Sequence, residues 1–328
     1  MRKTVCGLLI SCALVTGLAP RAAARPPAPP PAVIGHWAKN EIITAYEMGL
    51  IDQWPTVPDA PAMRREAARL LANGRGLVPA DGDLPLTDVA PTDPDRPWFV
   101  TLYNEGIFRG DELKRLRPDE PLTRAEFAAT LARVASGLLA EQRAAKTFPD
   151  LQGHWATDEV AKAYRLGLVN GSENAFEPER AVTLAEVLAM TVRLIDGAPA
   201  PGAKLASEEE LKQLAVRDLE LWAQAYSQTP LPDWSTVCAN RVGVALYIMK
   251  ESGALENEYR RQGHTGSAIV KSATAQVVSV KPLSAVVTVE STGVSIWDGS
   301  AVDIVDVSDV YLRYSQGRWV IYKTLGKQ

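Results

Sequence analysis

The sequence Leu122-Thr-Arg-Ala-Glu-Phe127 opens an apolar-periodic segment and has two imperfect copies elsewhere in the chain. The copies read Ala62-Met-Arg-Arg-Glu66 and Thr183-Leu-Ala-Glu186. A threonine followed three residues later by glutamate is a capping box, in which a hydroxyl and a carboxylate satisfy free backbone N–H groups at a helix start. The pattern predicts helices over residues 64–71, 124–134 and 184–194. The predicted structural caps are Thr123, Glu126, Thr183 and Glu186.

Tryptophans repeat in the same region of the chain. Trp37, Trp98 and Trp155 recur at steps of 61 and 57 residues, and each opens a short amphipathic segment. A glycine, the expected helix stop, ends each segment: Gly49, Gly106 and Gly167. One helix-loop-helix unit of this size cannot bury its apolar face alone, so the units should pack together. The three predicted units are residues 34–80, 81–142 and 143–196.

These units resemble S-layer homology repeats. The resemblance rests on Phe148-Pro-Asp-Leu151 before His154-Trp155-Ala156, on Gly167-Leu-Val-Asn-Gly171 and on the Thr-Arg-Ala-Glu motif. It covers about residues 34–196, half of the chain. It implies a pseudo-threefold helical prism whose grooves bind a secondary cell-wall polysaccharide, an acidic polymer that often carries pyruvyl ketals. It also implies that the arginine of the motif helps to hold this polymer.

Arg124 is the first candidate for such a contact. It stands at the first helical position, where the positive end of the helix dipole disfavours a cation. The placement is reasonable if an anion binds the guanidinium and the helix N-terminus together. The first unit keeps an arginine as Arg64 but lacks the threonine cap, and the third has Leu184 instead. We therefore expect the Arg124 groove to be the best carbohydrate site, the Arg64 groove the second and the Leu184 groove poor.

Aromatic and glycine residues complete the predicted carbohydrate site. Trp37, Trp98 and Trp155 are candidate sugar platforms, although a tryptophan at a helix start more often anchors the core, and both interpretations stay open. The loop glycines are further candidate contacts: Gly110 and Gly171. His36 and His154, which precede two of the tryptophans, are interpreted as capping or packing residues.

The N-terminus has the pattern of a secretory signal peptide, residues 1–24. Arg2 and Lys3 precede an apolar stretch, residues 5–18, that is too short for a comfortable membrane span, and Ala22-Ala-Ala24 fits a cleavage site. Cleavage removes three basic residues and no acidic one, which takes the net charge from −4 to −7. This acidic balance argues against a general nucleic-acid partner. A lipoprotein cleavage box at residues 9–12 is the alternative, but the apolar run continues past it.

The remaining sequence predicts a different architecture. Residues 25–33 are proline-rich and predict an extended spacer, and residues 197–204 predict a linker. In residues 205–328, a helix from Ser207 and another over 236–261 precede strands at 269–280, 285–294, 302–314 and 319–323. This order predicts a separate α+β domain with a curved antiparallel sheet. Its ending, Val310 to Tyr322, weakly resembles the last hairpin of the NTF2-like cone, which implies an apolar pocket.

The C-terminal region has no recognisable catalytic, metal or cofactor pattern. His264 is its one histidine, Cys238 has no histidine near it in the sequence, and Asp303 and Asp306 alternate to opposite faces of a strand. We interpret the chain as a secreted cell-surface protein, with no enzymatic activity and no membrane span after processing. Its repeats bind the wall polymer and present a domain that binds a protein or small molecule. The alternatives are a wall-anchored enzyme and a folded spacer that no longer binds the wall.

Overall fold

A computed structural model describes residues 25–172 and 174–327, so the predicted signal peptide lies outside the described residues. The N-terminal part is helical. Its helices are α1 (Pro31–Ile34), α2 (Lys39–Glu47), α3 (Arg64–Arg75), α4 (Arg96–Asn104), α5 (Arg124–Val134), α6 (Thr157–Arg165) and α7 (Leu184–Ile195), with a 3-10 turn at Pro149–Leu151. The predicted starts of α3, α5 and α7 are confirmed.

Three short segments close the helical part into a ring. The N–H of Ala62 donates to the carbonyl oxygen of Val182 (2.9 Å), that of Val182 to Leu122 (2.9 Å) and that of Leu122 back to Ala62 (3.1 Å). Each segment lies two residues before its helix, so α3, α5 and α7 leave the ring at equivalent points. Because the cycle closes, each unit is held by the other two, which compensates for the small core of any one unit.

Capping hydrogen bonds hold two of these helix starts. The hydroxyl of Thr123 accepts from the N–H of Glu126 (3.2 Å), and the Glu126 carboxylate accepts from the N–H of Thr123 (2.8 Å). Thr183 and Glu186 make the same pair of bonds at 3.3 and 3.0 Å. Losing such a cap typically costs about 1 kcal/mol. The caps therefore fix where α5 and α7 begin and keep their first residues at the ring.

The C-terminal part is α+β, as predicted. Its helices are α8 (Glu208–Tyr226), α9 (Ser235–Ala239) and α10 (Gly243–Arg261). They precede an antiparallel sheet in the order β1 (Gly266–Val280), β2 (Ser284–Trp297), β3 (Ser300–Ser315) and β4 (Arg318–Gly326). Helix α8 packs against β1 and β2, and α10 packs against β4. The alternating inward side chains form the core with α8, and they include Ala285, Val287, Val289, Val310 and Leu312.

Two local predictions were wrong. Residues 236–261 do not form one helix, because the chain pairs with β4 where the helix breaks: Ile321 donates to Asn240 (2.9 Å) and accepts from Val242 (2.9 Å). The spacer is not extended to its end, because Pro31 begins the short helix α1 and Val33 is buried in the core. Proline suits a first helical position, where its missing N–H would be unpaired anyway.

Arg313 of β3 joins the sheet to the helical part. Its side chain is 1% exposed. It donates through Nε to the carbonyl oxygen of Met48 (2.7 Å), and through Nη1 and Nη2 to the backbone oxygen and Oδ1 of Asn73 (3.2 and 3.1 Å). These carbonyls lie at the C-terminal ends of α2 and α3, where unpaired oxygens and the negative end of the helix dipole favour a cation. The buried charge is therefore stabilised by two helix ends.

Further contacts extend this joint. Lys323 of β4 donates to both carboxylate oxygens of Glu47 in α2, at 2.8 Å each. The hydroxyl of Ser284 donates to the carbonyl oxygen of Ile195 at the end of α7 (3.3 Å). Tyr322 belongs to the same apolar cluster as the core of the helical part. The C-terminal part keeps apolar clusters of its own, and Leu283 and Tyr322 extend the cluster of the helical part across the joint.

Candidate functional site

Arg64 begins α3 and reaches the neighbouring unit. Its guanidinium forms an ion pair with Glu126, the capping carboxylate of α5. The side chain is largely buried, and its Nε has no hydrogen-bond partner within the part of the chain that the structure describes. A buried donor without a partner costs roughly 1–3 kcal/mol. An oxygen atom of a ligand placed here would therefore be stabilised.

A cavity of about 320 Å³ opens beside this ion pair. Its walls come from the loop between α4 and α5, from the start of α3 and from α5 itself. Five arginines and two carboxylates line it: Arg64, Arg109, Arg115, Arg117 and Arg133, with Asp111 and Glu126. An excess of positive charge in a confined cleft attracts anions, and guanidinium groups match the geometry of carboxylates. We call this the Arg64 cavity.

The charges around the Arg64 cavity are not equally available. Asp111 forms an ion pair with Arg115 (3.0 Å) and lies 3.7 Å from Arg117. The backbone N–H of Arg115 holds the pKa of Asp111 below its usual value, so this carboxylate stays ionised. It therefore neutralises part of the positive charge of Arg115 and Arg117. Arg109 is exposed and forms no ion pair with any residue that the structure describes. Arg109 is therefore the cation that an incoming anion meets first.

Trp155 forms part of the rim of the Arg64 cavity. Trp155 is 60% exposed and Trp37 is 61% exposed. The histidine before each is a cap: Nδ1 of His154 accepts from the N–H of Ala156 (3.1 Å), and His36 caps its own unit in the same way. The core-anchor interpretation was therefore wrong for these two tryptophans. An exposed indole beside arginines offers a flat apolar surface with one polar edge.

Trp98 and the two loop glycines occupy different surroundings. Trp98 is half-buried and packs against the core. Gly110 lines the Arg64 cavity with φ of +74°, and a Cβ there would lie 2.7 Å from Cδ2 of Leu86. Gly171 packs against Phe148, whose Cε1 would lie 2.2 Å from an added Cβ. Gly110 therefore belongs to the cavity, whereas Gly171 is a packing residue.

Arg124 occupies the equivalent position at the start of α5 and is enclosed. Its guanidinium pairs with Glu186, donates to the carbonyl oxygen of Asn170 and stands 4.8 Å from the centre of the Phe176 ring. Burial lowers its pKa, although Glu186 acts in the opposite direction. Glu186 is also paired with Arg180 at 2.7 Å. The negative charge expected beside Arg124 is thus supplied by the protein itself.

The third junction has no arginine. Leu184 begins α7, so it offers no charge where the other two units have a guanidinium. Glu66, the counterpart of Glu126, accepts from the N–H of Met63 (3.0 Å). It takes part in no ion pair among the residues that the structure describes. The three junctions therefore differ. The Arg64 junction is open and basic, the Arg124 junction is neutralised by protein groups, and the Leu184 junction has no charge at the start of its helix.

The basic loop of the second unit was not predicted from the sequence as part of the site. Arg109, Arg115 and Arg117 all fall within residues 109–117, and the third unit has Asn170 where the second has Arg109. This clustering was visible around Gly110. The three arginines form a binding cleft only because the loop folds against α3 of the preceding unit. The repeat pattern alone does not reveal that contact.

Two residues of the C-terminal part, His264 and Cys238, belong to types that are often reactive. His264 lies at an exposed end of the sheet, where Nδ1 is hydrogen-bonded to Asp298 (2.7 Å). Burial raises the pKa of the Cys238 thiol, which disfavours a reactive thiolate. Among the described residues, no group of three or more His, Cys, Asp or Glu side chains could hold a metal ion. No helix in residues 25–172 or 174–327 is long and apolar enough to cross a bilayer.

Comparison with known families assigns the class of protein. The S-layer homology domain model matches residues 85–128 and 147–188. The first match includes the basic loop and the start of α5, and the second includes the capping box of α7. The chain therefore carries S-layer homology domain sequence in these two segments.

Individual relatives match part of the chain. It is 25% identical over 191 residues to the S-layer protein EA1 of Bacillus anthracis, covering 56% of this chain and 22% of that protein. It is 32% identical over 111 residues to an endoglucanase of Bacillus sp. (strain KSM-635), covering 33% of this chain and 11% of that protein. The chain thus spans less than a quarter of the length of these relatives. These matches confirm the predicted secreted, cell-surface localisation and the association with the cell wall.

A comparison of folds gives a more distant likeness. The intermembrane-space region of the chloroplast protein ARC6 aligns with a TM-score of 0.29 at 13% sequence identity. The alignment covers 35% of this chain and 95% of that one.

Proposed function

We propose that residues 34–80, 81–142 and 143–196 are three S-layer homology repeats that form a pseudo-threefold prism and attach the protein to the cell wall. The closed cycle of hydrogen bonds among Ala62, Leu122 and Val182 supports this arrangement. The ligand is the secondary cell-wall polysaccharide, an acidic polymer such as one that carries pyruvyl ketals. The C-terminal part is then a binding domain that the repeats hold at the wall.

The Arg64 cavity is the observation that carries this proposal. It combines five arginines, two carboxylates and the exposed indole of Trp155 in one cleft. A guanidinium binds a carboxylate through two parallel charge-assisted hydrogen bonds. An indole ring packs against the C–H face of a sugar. An acidic sugar presents both a carboxylate and such a face, so it matches the two halves of the cleft.

The three grooves are not equivalent in this proposal. Arg64 and Arg124 are each paired with a glutamate, but Arg124 also donates to the carbonyl oxygen of Asn170 and stands against the ring of Phe176, whereas Arg64 opens on a cavity with four further arginines. Leu184 provides no charge for the polymer. We therefore rank the Arg64 groove first, ahead of Arg124. This order differs from the one expected from sequence, because the sequence does not reveal that the basic loop of residues 109–117 folds beside Arg64.

Binding of the mature chain, residues 25–328, to purified walls tests the proposal. Walls of the source bacterium, with and without extraction of their acidic polymer, are mixed with protein, and the bound fraction is measured after centrifugation. We expect binding only where the polymer remains. Equal binding to extracted walls would refute a polymer-dependent anchor.

A paired substitution tests the Arg64 cavity itself. Arg109→Gln together with Arg117→Gln removes two cavity charges and leaves the Arg64–Glu126 pair in place. Hydrogen bonds to charged groups contribute roughly 1.5–3 kcal/mol each, so we expect about a tenfold or greater loss of wall affinity. The control is Arg217→Gln with Arg261→Gln, which changes the net charge equally at exposed sites on α8 and α10. An equal loss in the control would indicate a general charge effect and overturn the assignment.

A catalytic C-terminal domain is the second candidate function, since the relatives that match part of this chain include an enzyme, the endoglucanase. Release of soluble sugar from purified walls by the full mature chain would support catalysis. Binding without release would support a binding domain.

A further inference from the structure

We propose that the C-terminal domain binds an uncharged apolar ligand in a second cavity, between α8, α10 and the sheet. This cavity has a volume of about 210 Å³. Its walls are mainly aliphatic and aromatic side chains, among them Ala215, Leu219, Trp222, Ala245, Ile248 and Val310. Ligand pockets in proteins are concave and mostly apolar, with a few fixed polar groups. We call this the α8–α10 cavity.

The charged side chains that reach the α8–α10 cavity cancel in pairs. Arg241 binds Asp218 through Nε (3.2 Å) and Nη2 (2.5 Å). Lys323 binds both carboxylate oxygens of Glu47 at 2.8 Å. Both pairs are largely shielded from solvent. A charged ligand would have to break one pair and leave a buried charge without a partner, which is strongly unfavourable. An uncharged ligand leaves both pairs intact.

The volume of the cavity limits the size of the ligand. An apolar cavity of about 150 Å³ holds a benzene molecule. A cavity of about 210 Å³ is larger, and it accommodates roughly ten non-hydrogen atoms at the packing density of protein interiors. An aliphatic chain of about eight to ten carbons fits this requirement, with its uncharged head at the mouth.

One side of the cavity is lined by residues from outside the C-terminal part. Glu47 of α2 and Pro26 of the proline-rich segment both line it. The indole of Trp54 donates to the carbonyl oxygen of Pro27 (3.2 Å), and Tyr46 stacks on Trp54 at 4.0 Å. These contacts hold the proline-rich segment against the cavity, where Pro26 forms part of the wall. The helical part therefore completes the cavity, so the full mature chain is the form in which binding is measured.

This proposal does not depend on wall binding, because no residue lines both the α8–α10 cavity and the Arg64 cavity. Loss of wall binding in the Arg109 and Arg117 variant should leave ligand binding unchanged. The two proposals therefore fail separately.

Calorimetric titration of the mature chain with alkan-1-ols of about six to twelve carbons tests the assignment. Each buried methylene should tighten binding about fourfold, up to a chain of about eight to ten carbons, where the cavity is full and the gain stops. Decanoate and decyltrimethylammonium should bind at least about tenfold more weakly than decan-1-ol. A gain that continues without a plateau, or equal binding of the charged analogues, would overturn the proposal.

Two substitutions locate the binding in the cavity. Ile248→Ala enlarges it and should move the plateau to chains about two or three carbons longer, since three carbon atoms are removed. Ala245→Phe fills it and should abolish binding, while Ala301→Phe on an exposed position of β3 is the matched control. If circular dichroism indicates that Ala245→Phe does not fold, Ile248→Ala decides. An unchanged plateau in that variant would contradict the location.

Discussion

Arg313 is the buried cation that joins the two parts of the protein, and its replacement by methionine should destabilise the whole chain. Methionine keeps most of the apolar stem but removes all three hydrogen bonds to Met48 and Asn73. It leaves the carbonyl oxygen of Met48 and Oδ1 of Asn73 without this donor in a buried interface, whereas the backbone oxygen of Asn73 keeps the N–H of Gly76 (3.1 Å). Such oxygens cannot turn to water unless the interface opens.

The expected magnitude follows from two opposing contributions. Three hydrogen bonds from a charged donor are worth roughly 1.5–3 kcal/mol each. Against this, burial lowers the pKa of Arg313 from its usual value to about 10, which corresponds to roughly 3 kcal/mol of desolvation that methionine avoids. The difference predicts a net loss of about 1.5–6 kcal/mol in the free energy of unfolding.

Urea titration of the mature chain, followed by circular dichroism, measures this loss. Arg318→Met is the control, because Arg318 is exposed and donates a single hydrogen bond to the carbonyl oxygen of Ala239 (2.9 Å). We expect the control to lose less than about 1 kcal/mol. A loss for Arg313→Met that equals the control would show that the interface relaxes around the missing charge and would refute this reasoning.

Substitutions elsewhere in the molecule distinguish residues that bind the wall from residues that stabilise the fold. Trp155→Ala should weaken wall binding several-fold without changing Tm, whereas Trp98→Ala should lower the free energy of unfolding by about 3 kcal/mol because its ring packs on the core. Co-sedimentation and urea titration distinguish them, and matching effects would contradict the different exposures. Burial raises the pKa of Asp150, but the N–H groups of Phe176 and Glu177 outweigh it and hold this pKa below its usual value. The stability that Asp150 provides is therefore present above about pH 4 and lost as the pH falls through the lower folded-state value. Asp150→Asn should reduce the fall in Tm between about pH 5.5 and pH 3, while Asp83→Asn, at an exposed site, should not; an unchanged fall in both would contradict the assignment. Gly243→Ala should cost more than about 2 kcal/mol, because its Cβ would lie 2.0 Å from the carbonyl oxygen of Glu47 at a φ of +54°. A wild-type midpoint in urea would contradict the close approach.

The sequence predicted those features that depend on a few neighbouring residues. The start and end of α5 at residues 124 and 134 agree with the prediction, because the Thr123–Glu126 cap acts within one helical turn. The strands of the C-terminal part followed from alternation and turn residues in the same way. Glycine stops after α2, α4 and α6 have positive φ, as a helix C-terminus favours.

Features that depend on packing between distant segments were not predictable. The spacing of Arg64 and Arg124 does not reveal that Glu126 and Glu186 face them from the next unit. Nor does the alternation of β3 distinguish Arg313, which is buried against helix ends, from a solvent-exposed arginine on a strand. In each case the partner lies more than sixty residues away, so its approach is set by the closed ring and by the docking of the sheet.

Titration of the isolated acidic wall polymer into the mature chain tests the central claim most directly. We expect one high-affinity site per chain, which Arg109→Gln with Arg117→Gln weakens about tenfold or more, while Arg217→Gln with Arg261→Gln leaves it unchanged. Wild-type affinity in the Arg109 and Arg117 variant would contradict that claim.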